Sequence, residues 1–126
     1  MPHDQKRILV VEDEETLANV YAQLLEDQGY LVKVATSGRE GIDKIKKGGW
    51  DLILLDIMMP KIDGLEVLKQ LTQEERAKNG PIIMLTVLAQ ETIVAQALKA
   101  GAAGYIIKSD VNFDELLKIV DEFLDN

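Results

Sequence analysis

Five short apolar runs punctuate the chain, at Arg7–Val11, Leu31–Ala35, Leu52–Leu55, Ile82–Leu85 and Gly104–Ile107. The first, third and fourth are almost unbroken Ile, Leu, Val and Met. That is the pattern of parallel strands covered on both faces, not the in–out alternation of a half-solvated strand. Between and after these runs the apolar period becomes that of a helix, over Glu14–Gln28, Gly38–Lys47, Leu65–Arg76, Glu91–Ala100 and Phe113–Leu124. The first helix is expected to bury Leu17, Val20, Tyr21, Leu24 and Leu25, with Gly29 as a left-handed stop. Ser37 and Asn112 stand where caps of the second and fifth helices belong. Gly80-Pro81 marks the entry to the fourth strand.

Strand and helix alternate five times, with no repeat, low-complexity tract or linker between them. The expectation is one α/β domain over residues 1–126, a doubly wound parallel sheet of five strands with right-handed crossovers and five helices. In the fifth helix Phe113, Leu116, Leu117, Val120 and Leu124 form a core stripe, which Ile119 and Phe123 widen to one side. In the fourth, Val94, Ala97 and Leu98 are expected to face the core, with Ile93 beside them.

Composition narrows the class of protein. Apolar residues are 47% and charged residues 29%, the balance of a globular domain. No apolar run reaches the ~20 residues of a membrane span, and the leading MPHDQKR lacks the apolar segment of a signal peptide. A cytoplasmic location, away from membranes, is the expectation. Cysteine is absent, which excludes disulfides and thiolate chemistry. The formal charge of -8 disfavours direct contact with nucleic acid and suits a basic partner or a divalent cation.

In open parallel sheets, functional groups gather beyond the carboxyl ends of the strands. After the first strand comes Glu12-Asp13-Glu14-Glu15, after the third Asp56, after the fourth Thr86, and after the fifth Lys108. With the first and third strands adjacent, Glu12, Asp13 and Asp56 converge. Carboxylates that close repel by roughly 1–4 kcal/mol per pair, which a fold tolerates when a cation neutralises them or some stay protonated. All-oxygen donors suit Mg²⁺. With a hydroxyl and an ammonium opposite, the set is equipped for phosphoryl transfer onto Asp56. Taken singly, each residue has a plainer reading. Asp13, Glu14 and Glu15 complement a helix dipole, Asp56 caps a turn, and Thr86 and Lys108 are ordinary strand-end residues. Their coincidence at the ends of neighbouring strands is what carries the chemical reading.

VVEDEE (Val10–Glu15), LLDIMMPKIDG (Leu54–Gly64), MLTV (Met84–Val87) and AGAAGYIIKS (Ala100–Ser109) closely resemble the receiver domain of bacterial two-component response regulators, across essentially the whole chain. The resemblance implies the flavodoxin-like strand order 2-1-3-4-5. It implies Asp56 as phosphoacceptor from a sensor-kinase phosphohistidine or phosphotransfer protein, with Mg²⁺ as cofactor. Asp13 would ligate the metal directly, Glu12 through water, and Met58 through its backbone carbonyl. Thr86 would bind a phosphoryl oxygen, Lys108 would supply the ammonium, and Tyr105 would be the aromatic that turns on activation. Such a domain catalyses its own phosphoryl transfer and aspartyl-phosphate hydrolysis. Its output, to a partner or a second copy, would leave through the fourth helix, fifth strand and fifth helix.

Two positions depart from the family pattern. Val87 stands where a small residue is usual, and is expected to narrow access to the site. Ser109 replaces the proline that usually follows the lysine with a cis bond. Without a tertiary amide, trans is the expectation for Lys108–Ser109. A flavin-binding protein of the same topology is excluded by sign, since Glu12-Asp13-Glu14-Glu15 would repel a phosphate. The alternative that remains is a receiver-shaped adaptor that is never phosphorylated. The chain reads equally as a single-domain regulator or as the receiver part of a longer protein.

Overall fold

The computed structural model describes residues 6–87 and 90–125. Five strands form one sheet: β1 (Arg7–Val11), β2 (Leu31–Ala35), β3 (Leu52–Asp56), β4 (Ile82–Thr86) and β5 (Gly104–Ile107). They lie in the order β2-β1-β3-β4-β5, every pair parallel, as the resemblance implied. Two strands run one residue further than the apolar pattern suggested, so that Asp56 and Thr86 belong to the sheet itself.

The unbroken apolar runs serve two cores. Leu9, Val11, Ile53, Leu55, Ile82 and Met84 point to one face, while Ile8, Val10, Leu52, Leu54, Ile83 and Leu85 point to the other. Helices α1 (Glu15–Asp27) and α6 (Phe113–Asp125) supply Tyr21, Leu25, Leu116 and Val120 to the second face. The first face is covered by α2 (Gly38–Lys47), α3 (Gly64–Gln70) and α5 (Glu91–Lys99), while the short α4 (Gln73–Ala77) buries no residue and lies beside α2. Ser37 accepts the Glu40 N–H as the cap of α2, Asn112 accepts the Glu115 N–H ahead of α6, and Gly29 has φ 98° after α1.

Among the described residues the helix count is six, not five. The expected helix over Leu65–Arg76 breaks at Leu71, whose ψ of 132° is extended. Thr72 and Glu75 then exchange side-chain and backbone hydrogen bonds, a capping box that starts a new helix. Three expected core residues also lie outside. Val20 is 37% exposed, because Ala18, Tyr21, Ala22 and Leu25 are the i, i+3, i+4, i+7 stripe of α1 and Val20 sits a ~100° step away from it. Leu98 and Phe113 are exposed as well, whereas Ile93 packs on the core. Among the described residues every peptide bond is trans, Lys108–Ser109 included, and no helix is long and apolar enough to cross a membrane.

Candidate functional site

The sheet order brings the ends of β1, β3, β4 and β5 to one edge. Glu12 follows β1 directly, and its N–H is tied to the Ala35 carbonyl at 3.0 Å, which extends the β1–β2 pairing to its backbone. Asp56 closes β3 at 3% exposure. Glu12, Asp13 and Asp56 each place a carboxylate oxygen within 4.8 Å of the others, with Asp13 the exposed member.

Lys108, the first residue after β5, crosses the site. Its Nζ lies 2.6 Å from Glu12 Oε1 and 3.4 Å from Asp56 Oδ1. Its N–H donates to the Thr86 carbonyl at 2.7 Å, so the hydroxyl-bearing and ammonium-bearing segments are joined through the backbone. Thr86 is buried at the end of β4. Tyr105, set opposite Met84 in the sheet, is 46% exposed. Val87, the departure that was expected to narrow access, is exposed.

The loop after β3 is shaped for this site. The Met58 N–H donates to Asp56 Oδ1 at 3.2 Å, a contact the sequence pattern did not anticipate. A three-residue turn closes by Ile62 N–H to Pro60 carbonyl at 2.8 Å, with Lys61 at φ 67°. Gly64 then passes so near the strand that a Cβ would fall 2.4 Å from the Asp56 carbonyl oxygen. Asp63 caps α3 by accepting the Glu66 N–H at 2.8 Å.

Electrostatics follow from this crowding. Burial and the hydrogen bond shared with Glu12 push Asp56 up to about 7, with Lys108 opposing. Burial and the Glu12 charge raise Asp13 as well. For Glu12, burial is outweighed by hydrogen bonds from Lys108, the Asp56 side chain and the Glu14 N–H, and its carboxyl is lowered. Burial works against Lys108 too, but Glu12 and Asp56 hold its ammonium above the usual range. Three carboxylates sharing one ammonium carry excess negative charge, and their all-oxygen chemistry fits a hard divalent cation.

Residues 8–121 match the family model for the response regulator receiver domain. The chain belongs to that family. Among relatives of this receiver, the transcriptional regulatory protein DltR of Streptococcus agalactiae serotype III is 45% identical over 111 residues, covering 88% of this chain and 48% of that protein. The alkaline phosphatase synthesis transcriptional regulatory protein PhoP of Bacillus subtilis is 43% identical, over 82% of this chain and 42% of its own length. The receiver thus spans about half the length of the curated relatives it matches. Among solved structures, a CheY-like receiver from Methanospirillum hungatei JF-1 superposes with TM-score 0.84 at 35% identity, covering 95% of this chain and 94% of that one. The response regulator TrrA of Thermotoga maritima, in complex with Mg²⁺ and BeF, gives TM-score 0.81 at 37% identity, covering 95% of this receiver and all of that chain.

Proposed function

We propose that this receiver takes a phosphoryl group from the phosphohistidine of a sensor kinase or phosphotransfer protein onto Asp56. A carboxylate oxygen of Asp56 attacks phosphorus as the phosphorus–nitrogen bond breaks. The bonding pair stays on the imidazole, and an acyl phosphate forms on the aspartate. The observation that carries this reading is the convergence of Lys108 on a buried Asp56, with Glu12 and Asp13 alongside. Lys108, 3.4 Å from Asp56, would balance charge on the phosphoryl oxygens, and Thr86, joined to it through the backbone, would bring its hydroxyl to one of them.

Glu12, Asp13, Asp56 and the Met58 carbonyl would hold Mg²⁺, Glu12 through water. When bound, the ion supplies positive charge to the phosphoryl oxygens and keeps Asp56 ionised. The second effect matters, because near-neutral titration leaves a large share of Asp56 protonated, and so non-nucleophilic, without a cation. The occurrence of Mg²⁺ and BeF in the TrrA complex supports the choice of ion.

Output is assigned to α5, β5 and α6, where Leu98, Tyr105 and Phe123 are exposed. Movement of Thr86 towards a phosphoryl group would let the Tyr105 ring turn inward and reshape that face for a partner or a second copy. The test of the phosphoacceptor is acetyl phosphate with Mg²⁺, followed by intact-mass spectrometry. A single phosphoryl adduct that disappears in Asp56→Asn is the result expected. An adduct that persists in that variant places the acceptor at another residue and overturns the assignment of Asp56, whereas no adduct in the parent favours an adaptor that is never phosphorylated.

A further inference from the structure

We infer that the cavity between α1 and α6 is a binding site for a small neutral molecule with an apolar body and a carbonyl-type acceptor. The cavity measures about 360 Å³, within the range of small-molecule sites. Leu17, Leu85, Ile106, Val111 and Leu116 give it apolar walls, and the exposed Phe113 stands at its mouth, edge-on to Tyr21 with ring centroids 6.0 Å apart.

Tyr21 is the observation that turns a packing gap into a site. Its side chain lines the cavity at 6% exposure, yet its hydroxyl makes no hydrogen bond among the described residues. Buried phenols ordinarily find a partner, and one left without it costs stability. Asn112, also on the lining, uses its side-chain oxygen to accept the Glu115 N–H, which leaves its NH₂ group as a second donor. The cavity therefore offers donors and asks for an acceptor.

Charge decides which acceptor. The cationic group on the lining, Lys108, is already engaged by Glu12 and Asp56. The carboxylates beside it would repel an anion, and the apolar walls would leave any ionic group poorly solvated. A ketone, lactone or amide oxygen meets the donors without bringing charge. Because Lys108 is both a wall of this cavity and a partner of Asp56, an occupant would act on the same side chain as the phosphoacceptor site.

The experiment is a methyl-detected NMR titration of the 126-residue chain with 1-indanone, indane and indane-1-carboxylate. The ketone should perturb methyls of Leu17, Leu85, Ile106 and Val111. It should bind about fivefold more tightly than indane, the worth of one net hydrogen bond, and more tightly than the carboxylate. Tyr21→Phe, which keeps the ring and its contact with Phe113, should reduce ketone affinity to that of indane and leave indane unchanged. Equal affinities of ketone and hydrocarbon in the parent, or ketone binding unaffected by Tyr21→Phe, would overturn the site. So would perturbations confined to other methyls or none at all. Tightest binding by the carboxylate would overturn the neutral class.

Discussion

The Lys108 ammonium sits 2.6 Å from Glu12 but 3.4 Å from Asp56. The lysine is thus anchored by the residue after β1 and leans on the proposed phosphoacceptor from the side. That anchoring fixes the ammonium before any phosphoryl group arrives. It also makes Lys108 the counter-charge of two buried carboxylates.

Removing that counter-charge should be costly. Lys108→Met leaves Glu12 and Asp56 buried without a cation, and loss of one partner of a buried pair typically costs ~3–5 kcal/mol. Urea unfolding in EDTA should show a loss of about that size, with part of it recovered when Mg²⁺ is added. A variant as stable as the parent in EDTA would show that the carboxylates do not depend on Lys108.

The raised Asp56 makes a specific claim about pH. Its folded value of about 7 lies above the ordinary carboxylate value, so the folded state holds a proton that the unfolded chain releases near pH ~4. Stability from this group is complete below pH ~4 and falls as pH rises through about 7. In EDTA the urea midpoint should therefore decline across that interval, and Asp56→Asn should flatten the decline. Mg²⁺ competes with the same proton, so its stabilising effect should grow over the same range. A parent profile that rises from pH 5 to 7 in EDTA would contradict the assignment.

Asp13 is the exposed carboxylate of the cluster and is expected to be a direct ligand. Asp13→Ala should leave stability in EDTA within ~0.5 kcal/mol of the parent or slightly improved, since it removes a repelling charge from an exposed position. The shift in melting temperature that Mg²⁺ produces in the parent should be largely lost. If the Mg²⁺-dependent shift survives intact, the metal lies elsewhere.

Gly64 is needed for space rather than for an unusual backbone angle. A Cβ there would meet the Asp56 carbonyl oxygen at 2.4 Å and the Ile57 Cα at 2.8 Å, both backbone atoms that cannot swing aside. Gly64→Ala should destabilise the fold by ~1–3 kcal/mol, as other overpacked sites do. It should also slow phosphorylation by acetyl phosphate several-fold, because the displaced segment carries Asp56 and Met58. Unchanged stability together with an unchanged rate would show that the loop yields without consequence.

Much of this receiver could be read from the chain. Buried parallel strands leave unbroken runs such as Leu52–Leu55, and the residue that ends or follows such a run stands at the carboxyl end of the sheet, where Asp56, Thr86 and Lys108 lie. The capping box of Thr72 and Glu75 was written in the sequence too, but the apolar period running across Leu71 masked it. What the chain could not specify depends on distances between segments far apart in sequence. Helical spacing places Val20, Leu98 and Phe113 near an apolar face, but only the angle at which each helix meets the sheet decides which edge of that face is covered. Ninety-six positions separate Glu12 from Lys108, and nothing local dictates that the lysine should bond the glutamate more closely than the aspartate. Tyr21 likewise reads as core, and only the packing of α1 beside α6 shows that its ring is enclosed while its hydroxyl has no partner among the described residues. Local sequence sets which groups the strands deliver to the edge. Their mutual distances, and hence their charges, are set by how the sheet and helices pack.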